Sequence, residues 1–218
     1  MRTYNVLKID FKGFEDSKDA QYVYGVLRRK GRFQSKTITE AVLFYDTINA
    51  SEKMKTIRPA LRTMRLMNWI YTTYDIEEKE DLESLLERTS LTLQPEIPDV
   101  DGMRKITTLS FSKGQAAEKV YNELSVLSKR DRMHRIIEAV IAYIDHGMDE
   151  MEYKRMCEIF LSDLAREYER TGSVDTMYAL MKNSRSVVDL ITPVDKVNAN
   201  RKTSLTSEIV DYMIGEEG

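Results

Sequence analysis

The sequence is poor in cysteine and histidine and has no long apolar run. Its 218 residues include one cysteine and two histidines. Because Cys157 stands alone, an internal disulfide and a metal site built from several thiolates are both excluded. No stretch approaches eighteen uncharged apolar residues, so no membrane-spanning segment is expected. The first residues, MRTYNVLKIDFKG, carry charges where a signal peptide needs an apolar block, and we therefore expect a cytoplasmic protein.

The common catalytic motifs are missing as well. The chain has no glycine-rich phosphate loop, and no serine or cysteine has a histidine placed to activate it. His134 and His146 lie twelve residues apart, which is outside the usual helical spacings of metal ligands. We therefore expect no enzyme, no metal and no other cofactor.

Charge is distributed in blocks along the chain. The net charge of −3 suggests no affinity for a polyanion. Residues 1–70 nevertheless carry a net +7 and residues 103–147 a net +3, whereas residues 71–102 carry −8 and residues 148–218 carry −5. Because the local field steers a charged partner, the two basic blocks favour nucleic-acid binding more than the total charge does.

Each basic block opens with a predicted strand. In YNVLKIDFKG, Leu7, Ile9 and Phe11 alternate with residues of the opposite face. In RKITTLSFSKG, Leu109 and Phe111 repeat this pattern about 100 residues later. A period of two predicts a strand with one buried face.

Each strand is followed by two predicted helices joined by a basic turn. In the first copy Asp16 or Ser17 is the predicted cap of the first helix, and Ser35 caps the second. In the second copy Met133 occupies the position of Ser35, and Asp131 is the predicted cap. Both second helices contain Glu-Ala-Val followed three residues later by Tyr, at an offset of 98 residues. The chain therefore carries an internal repeat of a strand, a helix, a turn and a helix.

One copy of this repeat is too small to bury its own core, because its strand has unpaired edges and its two helices share only one interface. Two copies solve the problem when their strands pair antiparallel and their four helices close around them. We predict a mainly α fold in which the two units pair within the chain, with additional helices. The long insert at 50–103 also permits exchange between two chains.

Both copies resemble the ribbon–helix–helix family of the MetJ/Arc type. The segment GRFQSKTITEAVLFY is similar to the turn and second helix of that family, and KITTLSFS to its ribbon. The resemblance covers residues 4–49 and 104–146. It implies a DNA-binding protein whose two-stranded ribbon reads base edges in the major groove. The amides at the start of the second helix would hold a phosphate.

The resemblance and the strand alternation imply two sets of DNA contacts. The expected base contacts, which share the outward ribbon face with Val6, are Lys8, Asp10, Lys12, Arg104, Ile106, Thr108, Ser110 and Ser112. The expected phosphate contacts are Arg28, Arg29, Lys30, Arg32, Ser35, Lys36, Thr37, Lys129, Arg130, Arg132 and His134.

The order of segments suggests a biological role. We divide the chain into the first unit (1–50), a helical insert with an acidic linker (51–102), the second unit (103–147), a C-terminal helical region (148–195), and a tether with a terminal helix (196–218). This order resembles ParR-type plasmid partition adaptors, which implies double-stranded DNA, an actin-like filament protein or another protein, and further copies on the DNA as partners. The terminal helix would dock a partner, or pack on its own domain, through Leu205, Ile209, Val210, Met213 and Ile214.

Other roles remain open from the residues. A transcriptional repressor or a conjugation accessory protein of the TraY type fits the same DNA-binding module. An assembly factor that uses the fold without binding DNA is the alternative from another class, with the acidic block at 71–102 mimicking DNA or shielding the basic block.

Overall fold

The computed structural model describes residues 5–48, 52–92 and 99–184, with the backbone alone for 52–59, 91 and 92. Two compact units are formed by Met1–Thr56 with Glu96–Met156 and by Ile57–Pro95 with Cys157–Gly218. Both repeats lie in the first unit. In chain order the elements are β1 (Asn5–Ile9), α1 (Lys18–Lys30), a 3-10 turn (Gly31–Phe33), α2 (Gln34–Ile48), α3 (Glu52–Tyr74), α4 (Lys79–Thr92), α5 (Val100–Met103), β2 (Thr107–Phe111), α6 (Gln115–Val126), α7 (Lys129–Asp145) and α8 (Glu150–Thr171), followed by helical residues 175–184.

The two strands pair with each other inside the one chain. They run antiparallel, with Leu7 opposite Leu109 at the centre of the pairing and Lys8 opposite Thr108 next to it. Leu7 and Ile9 of β1 are buried, as are Leu109 and Phe111 of β2. The predicted buried faces are therefore confirmed, and so is a mainly helical chain, here with a two-stranded antiparallel sheet.

The helices of the two repeats interlock around the sheet. The second helices of the repeats, α2 and α7, pack against each other, while α1 packs on α7 and α6 packs on α2. Each repeat thus supplies the surface that buries the apolar face of the other, which is how two short units share a core. The fully buried residues of this core include Phe11, Val23, Val26, Ile38, Val42, Val120, Leu124, Ile136 and Val140.

Two predicted helix caps are wrong. Ser17 caps α1 by accepting a bond from the Ala20 amide at 3.3 Å, but Ser35 lies inside α2 and caps nothing. The 3-10 turn at Gly31–Phe33 runs directly into α2, so the helix already begins at Gln34. In the second repeat the cap of α7 is Ser128 and not Asp131. The hydroxyl of Ser128 accepts from the amide of Asp131 at 3.2 Å and donates to its carboxylate at 2.6 Å.

The second unit has a core of its own, formed by parts of α3, α4, α8 and residues 174–184. Polar contacts also join its segments, among them the bond that the Tyr178 hydroxyl donates to the Glu77 carbonyl at 2.7 Å and the ion pair of Lys79 with Asp175 at 2.7 Å. Among the described residues, no helix is long and apolar enough to cross a membrane. The buried core consists of Met67, Ile70, Ile76, Leu82, Leu85, Leu86, Leu161, Ala165, Val174, Met177 and Met181.

Candidate nucleic-acid interface

The outward face of the sheet carries a short row of exposed side chains. Lys8 and Thr108 form the central pair of this face, with Val6 opposite Ser110 on one side. Ile106, one residue before β2, is also exposed. We call these five residues the ribbon face. They include four of the eight predicted base contacts, and Lys12 and Ser112 lie exposed just beyond the strand ends.

The remaining two predicted base contacts are engaged elsewhere. Asp10 turns its carboxylate onto the backbone, where it accepts from the Lys12 amide at 3.0 Å, as aspartate does in tight turns. Arg104 does not lie in the strand, because α5 ends only one residue before it. Its guanidinium is 3.5 Å from the Glu15 carboxylate and 3.6 Å from that of Asp101.

Arg104 lies outside the strand because a short helical turn precedes it. We predicted a linker up to residue 102, but residues 99–103 form a capped helical turn. The Asp99 carboxylate accepts from the Gly102 amide at 2.8 Å, and Met103 is fully buried. The Asp-x-x-Gly spacing with an apolar residue behind it is the sequence signal that the two nearby prolines obscured.

Three of the four cations in the basic turn of the first repeat are paired with carboxylates inside the unit. Arg28 forms an ion pair with Asp99, and Lys30 forms one with Asp149. Arg29 makes two bonds to the Glu152 carboxylate, at 2.7 and 3.1 Å. The guanidinium of Arg32 lies 4.9 Å from the ring centre of Phe33. Arg28, Arg29 and Lys30 therefore hold the end of α1 against neighbouring segments, whereas Arg32 is exposed.

The start of α2 presents one exposed cation. Lys36 is exposed and lies 3.8 Å from the Glu40 carboxylate. Ser35 is half-buried, and Thr37 is buried with its hydroxyl donating to the Phe33 carbonyl at 3.2 Å. Of the three residues predicted to contact phosphate at this helix start, Lys36 alone extends its side chain into solvent.

In the basic turn of the second repeat, two cations have no carboxylate partner among the described residues. Lys129 and Arg130 occupy the first turn of α7, and both are exposed. Within the described part of the chain neither has an ionic partner. His134, one turn further on, is exposed and stacks edge-on against Phe14 at 5.0 Å. These residues leave two unneutralised charges at the end of a helix.

Arg132 connects this turn to the sheet. Its guanidinium donates to the carbonyls of Leu124 at 2.8 Å and Leu127 at 3.1 Å, at the end of α6. It also donates to the carbonyl of Lys8 in β1 at 3.1 Å. Arg132 therefore satisfies carbonyls that the helix end leaves without partners, and its role is structural. The same contact joins the first turn of α7, which carries Lys129 and Arg130, to strand β1.

We expect Arg132→Met to lower the free energy of unfolding by about 2 kcal/mol, because the charged donor is lost and partly buried carbonyls are left unpaired. Methionine keeps much of the apolar stem, so the loss reports mainly on the hydrogen bonds. Urea denaturation measures the change. Arg130→Met is the matched control and should change stability by less than about 0.5 kcal/mol. Equal effects of the two substitutions would contradict a structural role for Arg132.

The repeated Glu and Tyr residues meet across the centre of the unit. The Tyr45 hydroxyl donates to the Glu138 carboxylate at 2.6 Å, and the Tyr143 hydroxyl donates to the Glu40 carboxylate at 3.3 Å. Each repeat thus supplies a donor for the other's acceptor. Burial raises the pKa of Glu40 and that of Tyr143 above their usual values, since water no longer stabilises the charged forms.

Phe44 and Arg135 complete this contact. The Phe44 ring packs edge-on against Tyr143 at 5.8 Å. Arg135 bridges Glu123 at 2.8 Å and Asp46, with its guanidinium 4.6 Å from the ring centre of Tyr45. The repeated motif therefore serves the pairing of the two repeats and lies in their interface.

The predicted partner-docking residues Leu205, Ile209, Val210, Met213 and Ile214 lie outside the described residues. In comparisons with known proteins, no family model, curated protein or solved structure matches this chain.

Proposed function

We propose that this chain binds double-stranded DNA, and that its two repeats form a ribbon–helix–helix pseudo-dimer within the chain. The observation that carries the proposal is the antiparallel pairing of the two repeated strands, with Lys8 and Thr108 central on an exposed face. Paired strands lie about 5 Å apart, and the major groove, about 12 Å wide, admits such a ribbon.

Charge supports the same proposal. Lys8, Lys129 and Arg130 are exposed cations that no carboxylate within the described residues neutralises. The bond from Arg132 to the Lys8 carbonyl brings the start of α7 to the edge of the ribbon face. A duplex in front of this face would meet Lys129 and Arg130 at its phosphates, assisted by the positive end of the α7 dipole.

The proposal also redistributes the phosphate contacts. Arg28, Arg29 and Lys30 are held by Asp99, Glu152 and Asp149, so we assign the second repeat the larger share of the electrostatic affinity. On the first repeat, Arg32 and Lys36 are the exposed cations near the corresponding helix start. The two repeats would therefore contribute unequally to the binding of DNA phosphates.

The test is DNA affinity measured by fluorescence anisotropy over a range of salt concentrations. Lys129→Gln with Arg130→Gln should lower affinity at least tenfold, and should reduce the slope of log affinity against log salt by about 2. The positive end of the helix dipole repels cations at a helix N-terminus. Removing these two charges should therefore not destabilise α7, and the fold should be kept.

The matched control is Lys119→Gln with Lys154→Gln, an equal change of charge on exposed residues of α6 and α8. This control should leave the salt slope unchanged. A folded wild-type chain that retains no duplex at low salt would refute DNA binding, and would leave the paired repeats as a protein–protein assembly scaffold.

For the biological role we propose a plasmid partition adaptor, supported by the order of segments in the sequence. Selection of bound fragments from random and native DNA tests it. Direct repeats within the selected site, together with capture of an actin-like filament by residues 196–218, would support partition. A transfer origin would indicate a conjugation accessory protein, and a single operator overlapping a promoter would indicate a repressor.

A further inference from the structure

Two apolar side chains interrupt the otherwise polar ribbon face. Val6 is 50% exposed and Ile106 is 59% exposed, although both are large β-branched residues. They lie 100 residues apart and occupy equivalent places in the two repeats. Single exposed apolar residues are ordinary on protein surfaces. These two, however, lie on either side of the central Lys8–Thr108 pair.

The surroundings of the two residues indicate what covers them. Lys8 lies between them, and the exposed Lys129 and Arg130 lie in the helix turn that Arg132 bonds to the Lys8 carbonyl, so the field there favours a polyanion. An apolar protein partner would leave these cations desolvated and unpaired, which is costly. A DNA duplex supplies both kinds of contact. Its backbone carries phosphates, and its major groove exposes the apolar C5 methyl group of thymine.

The register sets the spacing of the two contacts. Val6 lies two residues from the Lys8–Thr108 pair in β1, and Ile106 lies two residues from it in the opposite direction along the ribbon. They are therefore separated by about four strand residues, or about 13 Å. Base pairs stack at about 3.4 Å, so this span corresponds to about four base pairs.

We propose that Val6 and Ile106 read thymine methyl groups, so that the target site contains two thymines about four base pairs apart. Between them lie the pairs contacted by Lys8, which suits the acceptors of guanine, and by Thr108. This inference rests on the proposed DNA binding. It assigns the specificity at two positions to apolar contact, while the cations supply affinity that does not depend on sequence.

The experiment replaces each thymine of the selected site by uracil, which lacks only the C5 methyl group. Affinity of the full chain is measured at fixed salt. Each of the two replacements should weaken binding about fourfold, and uracil at other positions should have no effect. Because the change is made in the DNA, this result does not depend on how well any protein variant folds.

Protein variants then identify the residue behind each methyl effect. In Val6→Ser one of the two thymines should no longer be preferred to uracil, and in Ile106→Ser the other should lose its preference. Met151→Ser is the control, since Met151 is 80% exposed on α8. It should keep both preferences.

The outcomes separate the inference from the function on which it rests. Tight binding of a selected site that is indifferent to uracil would overturn the thymine assignment and leave DNA binding intact. Selection of a site without two thymines at this spacing would do the same. Failure of the folded chain to retain any duplex would instead refute the proposed function.

Discussion

Replacing Phe111 with alanine is expected to lower the free energy of unfolding of the first unit by about 4 kcal/mol. The ring is fully buried on the inward face of β2 and lies 6.0 Å from Tyr121 of α6. Truncation removes its apolar contacts and leaves a cavity that the surrounding helices fill only in part. Phe11 occupies the equivalent place in the first repeat, packed edge-on against Tyr24 at 5.4 Å, and Phe11→Ala should have a similar effect.

The informative measurement is amide hydrogen exchange in the strand that was not altered. Because β1 and β2 share one core and one hydrogen-bonded ladder, Phe111→Ala should accelerate exchange at Leu7 in β1, and Phe11→Ala should accelerate it at Leu109 in β2. Val126→Ala, at a site 83% exposed, is the control and should shift stability by less than about 0.5 kcal/mol. If amide exchange accelerates only in the repeat that carries the substitution, the two repeats fold independently.

Removing the Glu152 side chain should cost about 3 kcal/mol of stability. This carboxylate is only 7% exposed and makes two hydrogen bonds to the guanidinium of Arg29. Glu152→Ala removes both of these hydrogen bonds from a cation whose side chain is only 25% exposed, and removing one side of a largely buried ion pair is costly. Nearby, Tyr22 donates to the Glu152 backbone carbonyl at 2.6 Å, and this bond is kept in the variant.

Thermal and urea denaturation check this expectation with two matched variants. Glu150→Ala removes an exposed carboxylate from the same turn of α8 and should have an effect below about 0.5 kcal/mol. Arg29→Met with Glu152→Leu replaces the pair by apolar groups and should recover most of the lost stability. An unchanged stability of Glu152→Ala together with tighter DNA binding would instead assign Arg29 to a phosphate.

Much of the local structure was predictable because it depends on neighbouring residues. The alternation of Leu7 and Ile9, and of Leu109 and Phe111, placed both strands and their buried faces. Ser17 placed the start of α1. The missed cap at Ser128 was also readable, since Ser-x-x-Asp before an apolar stripe is a capping signal. Ser35 was wrongly predicted as the cap of α2, because the 3-10 turn leads directly into the helix and the helix begins one residue earlier, at Gln34.

The candidate site was predictable only in part. The exposed ribbon residues Lys8, Thr108 and Ser110 follow from the period of the strand, as does the exposure of Ile106. The basic turns look alike in sequence, yet Arg28, Arg29 and Lys30 of the first are paired with carboxylates, whereas Lys129 and Arg130 of the second are exposed. That difference depends on carboxylates more than seventy residues away in the chain, which no local pattern connects to the turn.

The sequence by itself determined that the chain carries two amphipathic repeats, since periods of two and of 3.6 residues are written in the order of the side chains. Tertiary structure decided that the two strands pair within one chain, that Tyr45 meets Glu138, and that Arg132 of α7 donates to carbonyls of both α6 and β1. The physical reason is distance along the chain. Periodicity fixes which face of an element is apolar, whereas the partner of a charge or of a strand edge is set only when remote segments share one core.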